Sequence, residues 1–231
     1  MRRSALFTAL AVLAACARRP AAAPPARATP GRPVRIVALG DSLAFGTGAS
    51  APRDGFIFQA FLRVLERRPG SRIDNDAIPG SVAADVLRVQ VPRLAHVRAD
   101  AIVICVGGND VVHRNPPAAF AATYARLVAR VRALQPHAAI VCCGVPDVGL
   151  SPLFTGADHD EVAGLSRTDD AAVRAVARGG GAAFADLYAV TARPRGSVSR
   201  YLSEDRFHPS DAGHAALAAV LAPVLLRALE R

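Results

Sequence analysis

Val34-Arg35-Ile36-Val37-Ala38-Leu39-Gly40-Asp41-Ser42-Leu43 is an apolar run that stops abruptly at Gly-Asp-Ser. Short runs rich in Val and Ile read as strands buried on both faces. A serine just past the carboxyl end of such a strand lies where open α/β sheets keep their chemistry. Ser42 is therefore a candidate nucleophile. It would need a base, an acid to orient that base, and donors for an oxyanion.

Outward from this stretch the chain alternates regularly. The pattern predicts strands over 34–39, 72–77, 101–106, 139–143 and 182–187. Between them it predicts an amphipathic helix over 55–67, with Phe56, Phe58, Phe61, Leu62 and Leu65 on one side, and a second helix over 82–96. Pro116-Pro117 opens a third helix running to Leu134, because Pro is tolerated in a first turn. A long segment, 145–166, carries few periodic signals, and a helix over 167–178 ends at Gly179-Gly180-Gly181. The tail from Pro209 to Arg231 reads as a helix interrupted at Pro223. Strands alternating with helices at this spacing imply an α/β fold: a mostly parallel five-stranded sheet with helices on both faces.

The chain of 231 residues suits one such domain. It carries a net charge of +9, and every basic residue is Arg. The absence of Lys removes P-loop, Schiff-base and Ser-x-x-Lys chemistry together. Past the amino terminus the arginines are scattered, with no basic stripe interleaved with aromatics, so nucleic acid is not an expected partner. With no Trp and 5% aromatic residues, a stacking platform for sugars is disfavoured. Cys105, Cys142 and Cys143 fall inside predicted strands and read as buried thiols. Neighbours on a strand face opposite ways, so Cys142 and Cys143 should not bond to each other; a Cys105 link to either stays open.

Residues 1–15 join Arg2-Arg3 to an apolar segment, Ala5 to Ala15, that is short of the about 20 residues needed to span a bilayer. They read as an export signal. Leu13-Ala14-Ala15-Cys16 resembles the bacterial lipobox, which makes Cys16 a lipidation site and the membrane a partner; cleavage after Ala17 is the rival reading. From Ala17 to Pro33 the composition turns to Ala, Pro and Arg, a tether that at about 3.1 Å per residue reaches on the order of 50 Å. The expected organisation is thus signal peptide 1–15, lipidated Cys16 with tether to 33, and a catalytic domain over 34–231. The location implied is the bacterial cell envelope, lipid-anchored, or the exterior where the lipobox is unused.

Gly40-Asp41-Ser42, Pro79-Gly80-Ser81 and Gly107-Gly108-Asn109-Asp110 each follow a predicted strand. In a parallel sheet these loops converge on one edge. A serine, a backbone N–H freed by glycine and an Asn amide make a nucleophile with an oxyanion hole. The base is sought in Asp205-Arg206-Phe207-His208-Pro209. An Asp three residues ahead of a His in a tight turn can hold its Nδ1–H, leaving Nε2 for the serine proton.

These four blocks, in this order, resemble the SGNH or GDSL hydrolases over roughly 34–222. Gly40-Asp41-Ser42-Leu43 matches the motif that names the family, Gly80 the second block, Gly107-x-Asn109-Asp110 the third and Asp205-x-x-His208-Pro209 the last; Gly213-His214 matches a pair common at the final helix. The resemblance implies a flavodoxin-like three-layer α/β/α sandwich. It implies Ser42 as nucleophile, His208 as base and Asp205 as orienter, with Ser42 N–H, Gly80 N–H and the Asn109 amide as oxyanion donors. No metal or cofactor and no obligate protein partner is expected.

Other residues receive plainer readings. Asp41 and Asp110 are expected to organise their own turns. Asp211-Ala212-Gly213-His214 repeats Asp-x-x-His and competes for the base, but its helix-opening context favours a structural site. Asp158-His159-Asp160 reads as a charged loop tip rather than a metal site, His113 as pocket rim, and His96 and His137 as surface residues at helix ends. Ser42 lacks the Gly-x-Ser-x-Gly elbow of other serine α/β-hydrolases, and Gly46-x-Gly48 comes too late for a dinucleotide site. The expected substrate is a small-molecule ester or thioester with a lipid-like acyl group, such as a lysophospholipid. Val145, Val148, Leu150, Leu153 and Phe154 are its expected acyl pocket. A carbohydrate O-acetylesterase, or a non-catalytic ligand-binding lipoprotein, are the alternatives.

Overall fold

The computed structural model describes residues 31–193 and 196–231. The expected signal peptide, Cys16 and most of the tether lie outside the described residues. The chain is already tied to the domain at the tether's end: Gly31 N–H donates to Arg67 O, and Arg32 pairs with Asp100 at 2.6 Å.

Five strands form one all-parallel sheet: β1 (Arg35–Gly40), β2 (Arg72–Asn75), β3 (Ala101–Cys105), β4 (Ala139–Cys143) and β5 (Ala183–Ala185), in the order β2-β1-β3-β4-β5. The first strand of the chain is therefore interior, and the order reverses beside it. That reversal is where open α/β sheets leave a crevice. Alternate strand residues feed two cores. Val37, Leu39, Ile102, Ile104, Ile140 and Cys142 face one layer, built on Phe120, Tyr124 and Leu127 of α5 (Pro117–Leu134) and on α6 (Gly156–Gly179). Ile36, Ala38, Val103, Cys105, Val141 and Cys143 face the other, built on Phe56 and Val64 of α2 (Phe56–Arg67) and on Leu217, Leu221 and Leu225 of α8 (Asp211–Ala228). Cys142 and Cys143 thus point to opposite layers, and the three described cysteines are free.

Three elements depart from expectation, each for a local reason. The stretch 82–96 is not one helix. A short α3 (Ala83–Asp85) widens into a turn over Val86–Gln90, then tightens into 3₁₀ geometry over Val91–His96. Pro92 offers no N–H and clashes with an α-helical carbonyl four residues back, so the helix changes pitch before it. The segment 145–166 is not a long loop. After a 3₁₀ turn at Val148–Leu150, α6 begins at Gly156. Its inward stripe is Val162, Ser166, Asp169, Asp170, Val173 and Ala177, and polar residues in that stripe hide the period from a hydrophobicity reading. Finally, α8 runs through Pro223 without a break. Both Pro223 and Ala219, whose carbonyl loses its partner, are exposed, so the unpaired carbonyl is open to solvent.

Candidate active site

Ser42 opens α1 (Ser42–Phe45), a single turn set at the carboxyl end of β1. Asp41 caps it, its Oδ1 accepting from Leu43 N–H at 3.0 Å, while Gly46 ends it in left-handed geometry, φ 98°. Gly40 is obligatory before this turn: a Cβ there would strike the Cys105 carbonyl of the adjacent strand. The turn therefore sits tight against β3 and presents Ser42 to the crevice.

The second part arrives from the far end of the chain. Between Leu202 and Pro209, which bridge antiparallel, the chain folds back through Arg206 in left-handed geometry, φ 59°. Asp205 Oδ1 accepts from the N–H groups of Phe207 and His208, each at 2.9 Å, and from Ser203 Oγ at 2.8 Å. Its other oxygen accepts from His208 Nδ1 at 2.6 Å. His208 Nε2 lies 2.9 Å from Ser42 Oγ. Burial pushes the Asp205 carboxyl up, but the His208 ring and the three local donors outweigh it and hold it well below the usual carboxylate range. An anion that accepts from Nδ1 fixes the proton there and leaves Nε2 to accept from the serine. Phe207 stands edge-on to the His208 ring, centroids 5.0 Å apart, with Phe154 behind it at 6.4 Å.

The oxyanion candidates converge less completely. Ser42 N–H lies in the first turn of α1, where no intrahelical acceptor exists. Asn109, at the start of α4 (Gly108–Val112), lines the crevice and donates one amide hydrogen to Ser81 O at 3.0 Å. Its second amide hydrogen remains for a ligand. Gly80 sits in an exposed turn with φ 82°, beside the crevice rather than among its lining residues. Open space surrounds it, so its backbone conformation, not crowding, calls for glycine.

Asp41 and Asp110 are both buried. Burial pushes Asp41 up to about 7, against the N–H groups of Leu43, Ala44 and Gly107 that favour its charged form. Asp110 reaches beyond its own turn: it accepts from Ala83 N–H and from Asn115 Nδ2, both at 2.9 Å. It thereby fastens the Asn109 loop to the segment after Gly80, and burial raises its pKa as well.

The competing pair is built into the scaffold. Asp211 accepts from the N–H and Oγ of Ser50, at 2.8 and 2.6 Å. His214 is buried, accepts at Nδ1 from Phe56 N–H at 3.3 Å and donates from Nε2 to Thr47 O at 3.0 Å. His113, His96 and His137 are exposed, and His113 is not among the lining residues. Asp158-His159-Asp160 occupies the first turn of α6, not a loop tip, and Arg114 pairs with Asp158 and Glu161. Among the described residues no three His, Cys, Asp or Glu side chains gather as a metal site.

The crevice holds about 650 Å³ and runs from Ser42 across the carboxyl ends of β3 and β4 to α7 (Leu187–Thr191) and α8. Of the five apolar residues expected to line it, Val148 and Leu150 do. Val145 is buried under Gly107, Leu153 faces solvent, and Phe154 packs edge-on to Phe207. Residues missed by the sequence reading complete it: Val190 from α7, Leu202, and Ala216, Leu217 and Ala219 from α8. Gly213, Ala216 and Ala219, small residues three apart, were the available signal for an open helix face.

Residues 38–216 match the GDSL-like lipase/acylhydrolase family. The chain is 32% identical over 206 residues to the GDSL-like esterase Rv1075c of Mycobacterium tuberculosis, a match covering 85% of this chain and 63% of that protein. The chain thus spans less than two thirds of that relative's length. Its fold is that of the TesA crystal structure (TM-score 0.68, 21% identity, 84% of this chain and 99% of the other). It is also that of Axe2, an acetylxylan esterase from Geobacillus stearothermophilus (TM-score 0.65, 21% identity, 86% and 95%). The match over 38–216 takes in the Ser42 turn, the Asn109 loop and the His208 turn alike, and by it the chain belongs to the GDSL-like lipase/acylhydrolase family.

Proposed function

We propose that the protein is an exported serine hydrolase of acyl esters or thioesters. The observation that carries this is the continuous relay Asp205–His208–Ser42, at 2.6 and 2.9 Å, opening into an apolar crevice. Ser42 Oγ attacks the carbonyl carbon as His208 Nε2 takes its proton. Asp205 stabilises the imidazolium, and Ser42 N–H, Gly80 N–H and Asn109 Nδ2 receive the oxyanion. The proton passes to the leaving alcohol or thiol, and a water activated by His208 then cleaves the acyl-enzyme. Every proton is carried by these side chains, and the reaction as written uses no cofactor.

The crevice argues for the substrate class. Val148, Leu150, Val190, Leu202, Ala216 and Leu217 wall it, and from Gly213 to Ala219 it follows α8 for about 9 Å at 1.5 Å per residue. Such a track suits an acyl chain, as in a lysophospholipid, better than an acetyl group. Residues 1–15 direct export, Cys16 carries the lipid, and the tether to residue 33 holds the catalytic domain near its substrate. Turnover of p-nitrophenyl esters from acetate to palmitate by the detergent-solubilised full chain tests the reading. Activity that peaks beyond acetate is expected; a peak at acetate overturns the lipid assignment in favour of an O-acetylesterase. Ser42→Ala should abolish turnover and labelling by a fluorophosphonate probe, and persistent turnover overturns the mechanism.

A further inference from the structure

Gln90 has no exposed surface. It closes the wide turn over Val86–Gln90, where Val91 N–H reaches back to Val86 O. Turns with this i→i+5 bond are rare and gather at functional sites. Here the turn aims a glutamine side chain at the end of β1. β2 stops pairing with β1 at Asn75, opposite Ala38, so Gly40 lies beyond the ladder on that side. Gln90 supplies the acceptor that a continued strand would have given Gly40 N–H. Its Oε1 accepts from Gly40 N–H and its Nε2 donates to Gly40 O, both at 2.8 Å.

The remaining Nε2 hydrogen faces Ser81 Oγ at 3.2 Å. Ser81 follows Gly80, and its carbonyl accepts from Asn109 Nδ2. One buried amide thus joins the backbone two residues before Ser42, the turn that carries Gly80, and the loop that carries Asn109. Nothing lies within 4 Å of where a Gly80 Cβ would stand, so no packing on that side holds the turn, and the bonds of its neighbours carry it. The backbone bonds from this segment to β1, Asp76 N–H to Ala38 O at 2.9 Å and Ile78 N–H to Gly40 O at 3.1 Å, are made before Gly80 is reached.

We propose that Gln90 is a positioning residue that fixes the oxyanion hole against the nucleophile. It rests on the roles given above to Ser42, Gly80 and Asn109. The molecule supplies its own control. Gln135 is also buried and also binds backbone groups, accepting from Ala99 N–H at 3.1 Å and donating to the carbonyls of Leu94 and Val97, each at 2.7 Å. Those groups precede β3, at the opposite end of the sheet from the site. Gln90→Met and Gln135→Met remove comparable bonds without shortening the side chain.

The test compares kcat, KM and thermal midpoint for both variants on the p-nitrophenyl ester turned over fastest. Gln90→Met should lower kcat by about 10- to 100-fold with KM little changed, the size expected when reacting groups shift by a fraction of an ångström. Gln135→Met should lower the midpoint similarly and leave kcat in place. In an Asn109→Ala background, Gln90→Met should cost less than it does alone, because one of the donors it aims is already gone. Unchanged kcat in Gln90→Met, an equal kcat loss in Gln135→Met, or a fully multiplicative loss in the double variant each overturn the proposal. If Gln90→Met is recovered unfolded, Ser81→Ala decides, since it removes the Gln90 contact and spares Gly40: a several-fold fall in kcat supports the role, and no fall overturns it. A turnover surviving Ser42→Ala would fail the hydrolase reading instead, whatever Gln90 does.

Discussion

Asp205-x-x-His208 and Asp211-x-x-His214 share one spacing and one stretch of chain, yet their imidazoles are held in opposite states. His208 donates from Nδ1 to a carboxylate and offers Nε2 to Ser42. His214 accepts at Nδ1 from a backbone N–H and donates from Nε2 to a backbone carbonyl. The conformation between the two residues makes the difference. Before α8, the left-handed Arg206 folds the Asp205 carboxylate back onto the ring. Inside α8, Asp211 points outward to Ser50 and His214, nearly one turn on, points inward. The second pair still serves the first. By holding Ser50, Thr47 and Phe56 it pins the loop after Ser42 to the helix that follows His208. Gly48 is pressed there so closely that a Cβ would meet the Pro209 carbonyl.

The largest expected effect separates the two histidines directly. His208→Ala should reduce kcat by about 10⁴-fold or more, the scale of losing a general base. His214→Phe should keep kcat near that of the parent once corrected for folded fraction. Steady-state kinetics with active-site titration checks both, and equal losses would erase the distinction. Next in size, Asp205→Asn should lower kcat by about 10³–10⁴-fold, because a neutral amide neither fixes the Nδ1–H tautomer nor stabilises the imidazolium. Asp211→Asn, judged in the same assay, should leave kcat unmoved.

That contrast also marks what the sequence could convey. The strands were legible because parallel strands buried on both faces are continuous apolar runs. The Ser42, Asn109 and His208 blocks were legible because each is a short motif held by its own turn. The two roles of Asp-x-x-His could be separated only by the helix-opening Gly213 context. What escaped was written in polar residues and in long-range shape. The first half of α6 shows only Val162 and Ser166 on its inward stripe, and Gln90 sits in a valine-rich stretch that reads as helix. The crevice walls from α7 and α8 lie far from Ser42 along the chain.

A smaller effect concerns stability. His214→Phe leaves Thr47 O and Phe56 N–H without their side-chain partner, and each unmet buried group costs about 1–3 kcal/mol. Urea unfolding should show a lower midpoint with an unchanged slope, since the fold and its buried surface persist. His208→Ala, whose ring bonds a surface carboxylate and the serine, should unfold close to the parent. A variant at 214 as stable as the parent would deny the second pair its scaffold role.

The smallest effect is the dependence of that stability on pH. Burial lowers the His214 pKa below its ordinary 6.5, against the Thr47 carbonyl and the Asp211 charge that favour the protonated ring. A folded state that binds the proton less readily than the unfolded chain is favoured most above 6.5 and loses that advantage as pH falls below it. Asp205 is also depressed, but its window opens only below 3.8. The buried carboxyls run the other way: burial raises Asp41 and Asp169 to about 7 and Asp170 to about 6, so their contribution falls as pH rises from about 4 to 7. The parent curve sums these opposing slopes, and the difference between parent and His214→Phe isolates the histidine. That difference should narrow from pH 7.5 to pH 5, by at most about 1.4 kcal/mol per pH unit for one proton.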